Sequence, residues 1–448
     1  MVRILVPSGA LGLGYDKAAL DRAVAAKPDL IAIDGGSTDS GPSYLGRGVS
    51  KYARAATKAE WRGLIEARAV AGVPLVIGTA GTCGADSAVD WLYDITVEIL
   101  AELGQSAKIA VLKSGQPAAR IKSALAAGDI TPLPHAPAID AGVIDDCTHI
   151  VALAGAEQIA AALDTGADIV IAGRTTDTAI IAALPILRGC HTGAAWHGAK
   201  VGECGALCAT NPQSGVILVD FDDTAFVVTP MADGAHATPH TVSAHMLYEN
   251  SDPFILFEPG GHLDVTGAKY TALDDTRVRV EGSVWVPSDR YTVKLEGARI
   301  TGYQTVIMAL LRDRRYVANA KAWCDDIAVK HAAKVTDRLG EIDYRLDLRI
   351  IGQDATLGAL ENRPADLTEA GVMAIVTAPD QATANDIAKL LNPYLLHHPL
   401  TQAEEQPTFA FPFSPAEIDR GAAYEFCLNH VLTLRDPMEA FTLEVRDV

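Results

Sequence analysis

Leu30–Pro42 reads LIAIDGGSTDSGP, an apolar run that stops at an aspartate and breaks into glycine and small hydroxyl residues. The design returns as LVIGTAGTCGAD (Leu75–Asp86) and IVIAGRTTDTA (Ile169–Ala179). Each run is short and partly β-branched, as befits a strand covered on both faces of a sheet. Open α/β sheets bind ligands beyond the carboxyl ends of their strands. Those ends carry Asp34, Ser37, Thr38, Asp39, Thr79, Thr82, Asp86, Arg174, Thr175 and Asp177, more hydrogen-bonding chemistry than turns require. The pattern predicts a small-molecule site.

Working outward, strand signals near 2–6, 29–33, 74–78, 108–112, 149–153 and 168–172 alternate with amphipathic helical stretches. Such alternation predicts an α/β fold with a Rossmann-like parallel sheet and helices on both faces. From about 212 the chain turns β-rich, an extension expected to cover the sheet's active edge, with HTVSAHMLYENSD as a helix within it. From 299 the order becomes β-α-β-β-α-β, which predicts a smaller ferredoxin-like α+β domain. The expected domains are therefore 1–298, carrying the chemistry, and 299–448, with the Pro-rich segment 395–420 as a long surface loop.

A net charge of -19 over 448 residues argues against nucleic acid and anionic membrane surfaces as partners. No window approaches 18 uninterrupted apolar residues, so no membrane span is expected. The opening MVRILVPSG runs straight into a strand, and the seven cysteines are scattered and odd in number; both favour a reduced, cytoplasmic setting. Cys204 and Cys208 lie four apart, but no second pair completes a structural zinc set.

Gly9, Gly12 and Gly14 follow the first strand, and Asp34 ends the second, a partial match to a dinucleotide-binding fingerprint. The spacing is G-x-x-G-x-G rather than G-x-G-x-x-G, so no redox cofactor is expected. Instead, the backbone and hydroxyls of Gly35, Gly36, Ser37 and Thr38, with Arg174, suit a substrate carboxylate. Thr79, Thr175 and Asp177 complete that set; the plainer reading of Arg174 is an ion pair with a local aspartate. In AWHGAKVGECGA, His197, Lys200, Glu203 and Cys204 recur at spacings that share a helix face. Lys200 and Glu203 are read as an acid–base pair, or else as an exposed ion pair.

Asp34 and Asp39 suit a general base, metal ligands or turn formation. Further on, His245 and Glu249 stand four apart in HTVSAHMLYE, a spacing for a proton relay or a metal, with His245 also a substrate contact. The metal candidates are Asp34, Asp39, Asp177, His240 and His245, an oxygen-rich set that suits Mg²⁺ or Mn²⁺.

DGGSTDSGPSYLGRG, GTAGTCGA, AGRTTDTA, KVGECGA, PHTVSAHMLYENSDP, YTVKLEGA and YEFCLNHVL stand in this order across nearly the whole chain. Together they resemble the acyclic terpene utilisation (AtuA-like) family. The resemblance implies an N-terminal α/β domain, a smaller ferredoxin-like domain, and a place in the catabolism of branched acids carried as carboxylates or acyl-CoA thioesters. It also implies that a small partner subunit accompanies some members; it assigns no catalytic residues.

The expectation is a catabolic lyase, hydratase or isomerase moving a proton next to a carbonyl, as a homo-oligomer. Three alternatives stay open: a divalent-metal hydrolase of an amide, lactone or thioester using His240, His245 and the aspartates, a non-catalytic acyl-binding subunit, and, last, a nicotinamide dehydrogenase.

Overall fold

Leu30 and Ala32 point to one side of their strand, Ile31 and Ile33 to the other, and all four are fully buried. Such a strand needs cover on both faces, and the computed structural model, which describes residues 1–364 and 366–448, supplies it. Helices Lys17–Ala25, Arg54–Ala71 and Asp86–Leu103 close one face through Leu20, Trp61, Leu64, Leu92 and Ile95. Ala156–Asp164, Ala179–Leu187 and Thr192–Gly202 close the other through Ile159, Ile180, Ile181 and Trp196. Each aliphatic side chain so buried contributes about 1.5–3 kcal/mol.

The chain forms two compact units, Met1–Arg299 with Phe426–Val448, and Ile300–Glu425. In the first, strands Val2–Val6, Leu30–Asp34, Leu75–Gly78, Ile169–Ala172 and Lys108–Lys113 lie side by side in that order, all parallel. Being parallel, they bring their carboxyl ends to one edge. Ile169–Ala172 inserts between two strands that precede it in sequence, which places Arg174 next to the loop after Gly78. Antiparallel strands extend the sheet: Ile217–Phe221, Ala225–Pro230, Val278–Glu281 and Lys269–Ala272 beyond Val2–Val6, and Thr442–Asp447 beyond Lys108–Lys113. The result is a large mixed sheet.

Three details depart from the sequence reading. The segment near 149–153 is not a sixth parallel strand. Cys147–Ala152 pairs antiparallel with Leu295–Arg299 instead, and its first half, Cys-Thr-His, is too polar to be covered on both faces. HTVSAHMLYENSD is helical only over Pro239–Ala244 and in a short turn at His245–Leu247, before Glu249 takes a left-handed φ of 57°. The runs YTVKLEGARI and YQTVIMAL join into one strand, Tyr291–Leu311, which passes the left-handed Gly302 without breaking.

The second unit runs strand Tyr291–Leu311 (from Ile300 on), helices Arg314–Ala318 and Ala320–Leu339, strands Arg345–Ile351 and Ala370–Ala378, helix Gln381–His397, and the start of strand Ile418–Leu434. Its spatial order is Arg345–Ile351, Ala370–Ala378, Tyr291–Leu311, Ile418–Leu434. Trp323, Ile327, Val372, Ile387 and Leu391 fill its core. Against the expected span of 299–448, residues 426–448 lie with the first unit.

Among the described residues no helix is long and apolar enough to cross a membrane.

Candidate functional site

A cavity of about 670 Å³ opens at the carboxyl edge of the parallel strands, within the first unit. Its wall includes Asp34, Gly36, Ser37 and Asp39 from the second strand's loop, Thr82 from the third, and Asp177 from the loop after Ala172. Ser8 and Gly9 follow the first strand into the same wall, and Cys204, Tyr248 and Glu249 close it from the far side. Residues as distant in sequence as 34 and 177 thus share one surface because parallel strands end on one edge.

Asp34 is 3% exposed. Its Oδ2 accepts a 2.8 Å bond from the Gly36 N–H, while the buried Oδ1 has no partner. Burial, reinforced by the Asp177 carboxylate, drives the Asp34 carboxyl well above its ordinary range. Asp177 keeps 30% of its side chain accessible. Burial raises it too, against the pull of Arg174 and Lys200. Two carboxyls that cannot both ionise freely share one wall, an arrangement that holds a proton in place.

Arg174, expected to hold a carboxylate, is buried and its guanidinium is bonded within the protein. Nε donates to Glu296 Oε2 at 3.0 Å, and Nη1 donates to Thr79 Oγ1 and the Thr175 carbonyl. Nη2 donates to Thr38 Oγ1 and Glu296 Oε1. All five guanidinium protons therefore meet protein acceptors. The nearer partner is Glu296, while the local aspartate Asp177 also pairs with Nη1 at 3.7 Å; Arg174 with Lys294 pulls the buried Glu296 carboxyl down to about 2.

The backbone cradle expected from Gly35 onward is likewise turned inward. Gly35 N–H donates to the Gly78 carbonyl, Gly36 to Asp34, Asp39 to Ser37 Oγ and Gly41 to the Thr38 carbonyl. Asp39 is exposed on the rim, and Thr38 is buried with its hydroxyl donated to Glu296. Thr79 and Thr175 are buried beside Arg174, holding it from behind the wall. Thr79 and Thr82 carry φ of 44° and 76°. For a β-branched residue this is strained backbone, of a kind that gathers at functional sites. Asp86 is structural: its Oδ1 accepts from the Gly115 N–H at 2.9 Å.

Lys200 and Glu203 form a buried ion pair at the end of helix Thr192–Gly202. They are not exposed, and neither stands in the cavity wall; the next residue, Cys204, does. Burial pushes the Glu203 carboxyl up to about 8 despite Lys200. Burial works against the Lys200 ammonium, but the Glu203 carboxylate outweighs it and leaves Lys200 above its ordinary value. Lys200 pulls the Asp177 carboxyl down, and the Asp177 carboxylate in turn raises both Lys200 and Glu203.

His197 belongs to the core. Its Nδ1 meets Ser283 Oγ at 2.7 Å, its Nε2 meets the Tyr270 hydroxyl at 3.2 Å, and burial lowers its pKa to about 3. His240 is exposed on its short helix, whereas His245, five residues on, turns inward and stacks on Tyr248 with ring centroids 5.6 Å apart. The expected pairing of these two histidines therefore fails. The left-handed Glu249 also ends the helical register that would have set it beside His245. Asp34, Asp39, Asp177 and His240 are not drawn into one ligand set; a trio of metal-capable donors forms instead from Glu203, Cys204 and His245.

Sequence reasoning missed Lys51, Tyr52, Glu258 and Glu296. Lys51 stands on the rim with Nζ 2.9 Å from Ser40 Oγ. Glu258 accepts from Thr178 at 2.5 Å, has an unpartnered buried Oε2, and is raised by burial to about 7. Glu296 had a signal: an acid inside VKLEGA, a run that otherwise reads as a buried strand. The first-loop glycines serve packing. A Cβ on Gly9 would lie 3.2 Å from Cys204 Cα, and one on Gly12 would meet the Tyr52 ring at 2.6 Å.

A profile of the acyclic terpene utilisation family protein AtuA matches residues 55–189 and 190–416. Neither a curated protein nor a solved structure matches the chain. The matched segments cover both the strand-end loops after Ile169 and the Cys204 wall, well over half of the residues, and the chain belongs to the acyclic terpene utilisation family.

Proposed function

We propose that this protein is a catabolic enzyme of lyase, hydratase or isomerase type that moves a proton next to the carbonyl of a small branched carboxylate or its CoA thioester. The observation that carries this reading is the placement of Asp34 and Asp177 in one cavity wall. Asp177, with Arg174 and Lys200 close by, takes the proton from the carbon beside the carbonyl. Asp34, kept protonated by its burial, gives one back. In an isomerase the returned proton goes to a second carbon; in a hydratase running in reverse it goes to the departing hydroxyl, which leaves as water. Lys51 on the rim replaces Arg174 as the cation that meets the substrate's carboxylate or phosphate groups. The cavity volume lies within the usual range for small-molecule sites.

The same reading takes the parallel sheet with its two helical layers as Rossmann-like. It takes the second unit, whose strands are ordered second, third, first, fourth, as ferredoxin-like. A cytoplasmic homo-oligomer remains part of it.

The test is incubation in D₂O with a panel of short branched carboxylic acids and their CoA thioesters, followed by mass spectrometry. Deuterium entering the carbon beside the carbonyl of at least one compound is the expected result. A compound converted without any exchange of that hydrogen would contradict the reading, as would a panel left wholly unlabelled.

A further inference from the structure

Glu203, Cys204 and His245 come together where the end of helix Thr192–Gly202 meets the turn at His245–Leu247. One carboxylate oxygen, the Cys204 Sγ and one ring nitrogen of His245 all lie within 4.8 Å of one another. The ordinary role of such groups is to bond each other or the backbone. His245 departs from that: it is 5% exposed, and its Nε2 has no hydrogen-bond partner. An orphaned buried imidazole nitrogen is costly unless something binds it.

The surroundings favour a cation. The carboxyls of Asp177, Glu249 and Glu258 stand around Glu203 and Cys204, opposed by the Lys200 ammonium that is bonded to Glu203. Cys204 also lines the cavity, so a cation held here would face the space a substrate occupies.

We infer that Glu203, Cys204 and His245 form a binding site for a divalent transition metal, with Zn²⁺ the preferred ion. The mixed oxygen, sulfur and nitrogen set excludes the hard ions Mg²⁺ and Ca²⁺, which take oxygen ligands. Three protein ligands with one open position is the pattern of an accessible zinc site rather than a closed structural one. Tetrahedral donors at normal zinc bond lengths stand about 3.5 Å apart, so side-chain torsions need to draw the trio in by about 1 Å. Gly9 and Gly205 hold the cysteine loop close: a Cβ on Gly205 would fall 2.3 Å from the Gly215 carbonyl oxygen. The site does not depend on the proton-transfer reading, since it stands on donors outside the Asp34–Asp177 pair.

Co²⁺ is the probe, because a cobalt–thiolate bond gives a charge-transfer band in the near ultraviolet. The full-length protein, stripped with chelator and titrated with Co²⁺, should develop that band with saturation at one equivalent, and Zn²⁺ should abolish it. Cys204→Ser should lose the band and His245→Gln should weaken binding at least about tenfold, a typical loss when one metal ligand or its support is removed. His240→Ala should keep both. Circular dichroism of each variant confirms folding, and where a variant fails to fold, a Co²⁺-induced rise in the wild-type melting temperature serves in its place. No band and no retained stoichiometric metal in the wild type would overturn the inference, and so would a band that survives Cys204→Ser.

Discussion

Arg174 and Glu296 lie 122 residues apart in sequence, yet each is the other's main partner, and both side chains are under 10% exposed. Removing one partner of such a buried pair leaves an uncompensated charge, at a cost of about 3–5 kcal/mol. Glu296→Gln should therefore lower the stability of the chain by about that much at pH 7, read from urea unfolding. The sign with pH follows from the depressed carboxyl. Glu296 is held at about 2 in the folded chain against an ordinary 4.5. Its contribution is thus full above about 4.5 and disappears as pH falls through about 2. The gap between wild type and variant should shrink over that window; a gap unchanged between pH 7 and pH 3, or absent at pH 7, would contradict the pairing. At this scale the candidate groups were readable but their partners were not. Its place just after a buried apolar run marks Arg174 as a candidate, yet nothing local names Glu296, which lies 122 residues further on.

The loop Thr79–Ala85 decides how the strand ends meet. Gly84 has a φ of 63°, and a Cβ there would lie 2.2 Å from the Arg174 backbone nitrogen. Gly84 also offers its carbonyl to Ser114 Oγ, which in turn accepts from the Arg174 N–H at 2.7 Å. Gly84→Ala therefore combines a left-handed penalty with overpacking against backbone that cannot yield, together about 2–5 kcal/mol. Thermal unfolding should show the loss, and a melting temperature equal to wild type would show that the loop has room this structure denies. Strands buried on both faces were legible from their unbroken apolar runs, as at Leu30–Asp34. Cys147–Ala152 was not, because three polar residues and three apolar ones suit an outlying strand as well as an inner one. The helix after Pro239 was read too long, since the pattern of His245 and Glu249 carries no mark of the left-handed turn between them.

Across the whole molecule, the net charge of -19 says little about the site, where a cation and several carboxyls are buried together. The change of pattern after residue 299 was visible as a change of element order. The return of the chain at Phe426 was not, because one continuous strand, Ile418–Leu434, serves both units. The first unit holds every residue assigned here to the cavity, which makes the account testable at two side chains. The central claim is that Asp34 and Asp177 transfer the proton. The most direct measurement is the rate of deuterium uptake from D₂O into the carbon beside the carbonyl of a responsive substrate, in wild type, Asp34→Asn and Asp177→Asn. Both variants should fold and bind the substrate, and both should exchange about 10²–10⁴-fold more slowly, the scale of a positioned acid or base. Exchange at the wild-type rate in both variants would contradict the claim.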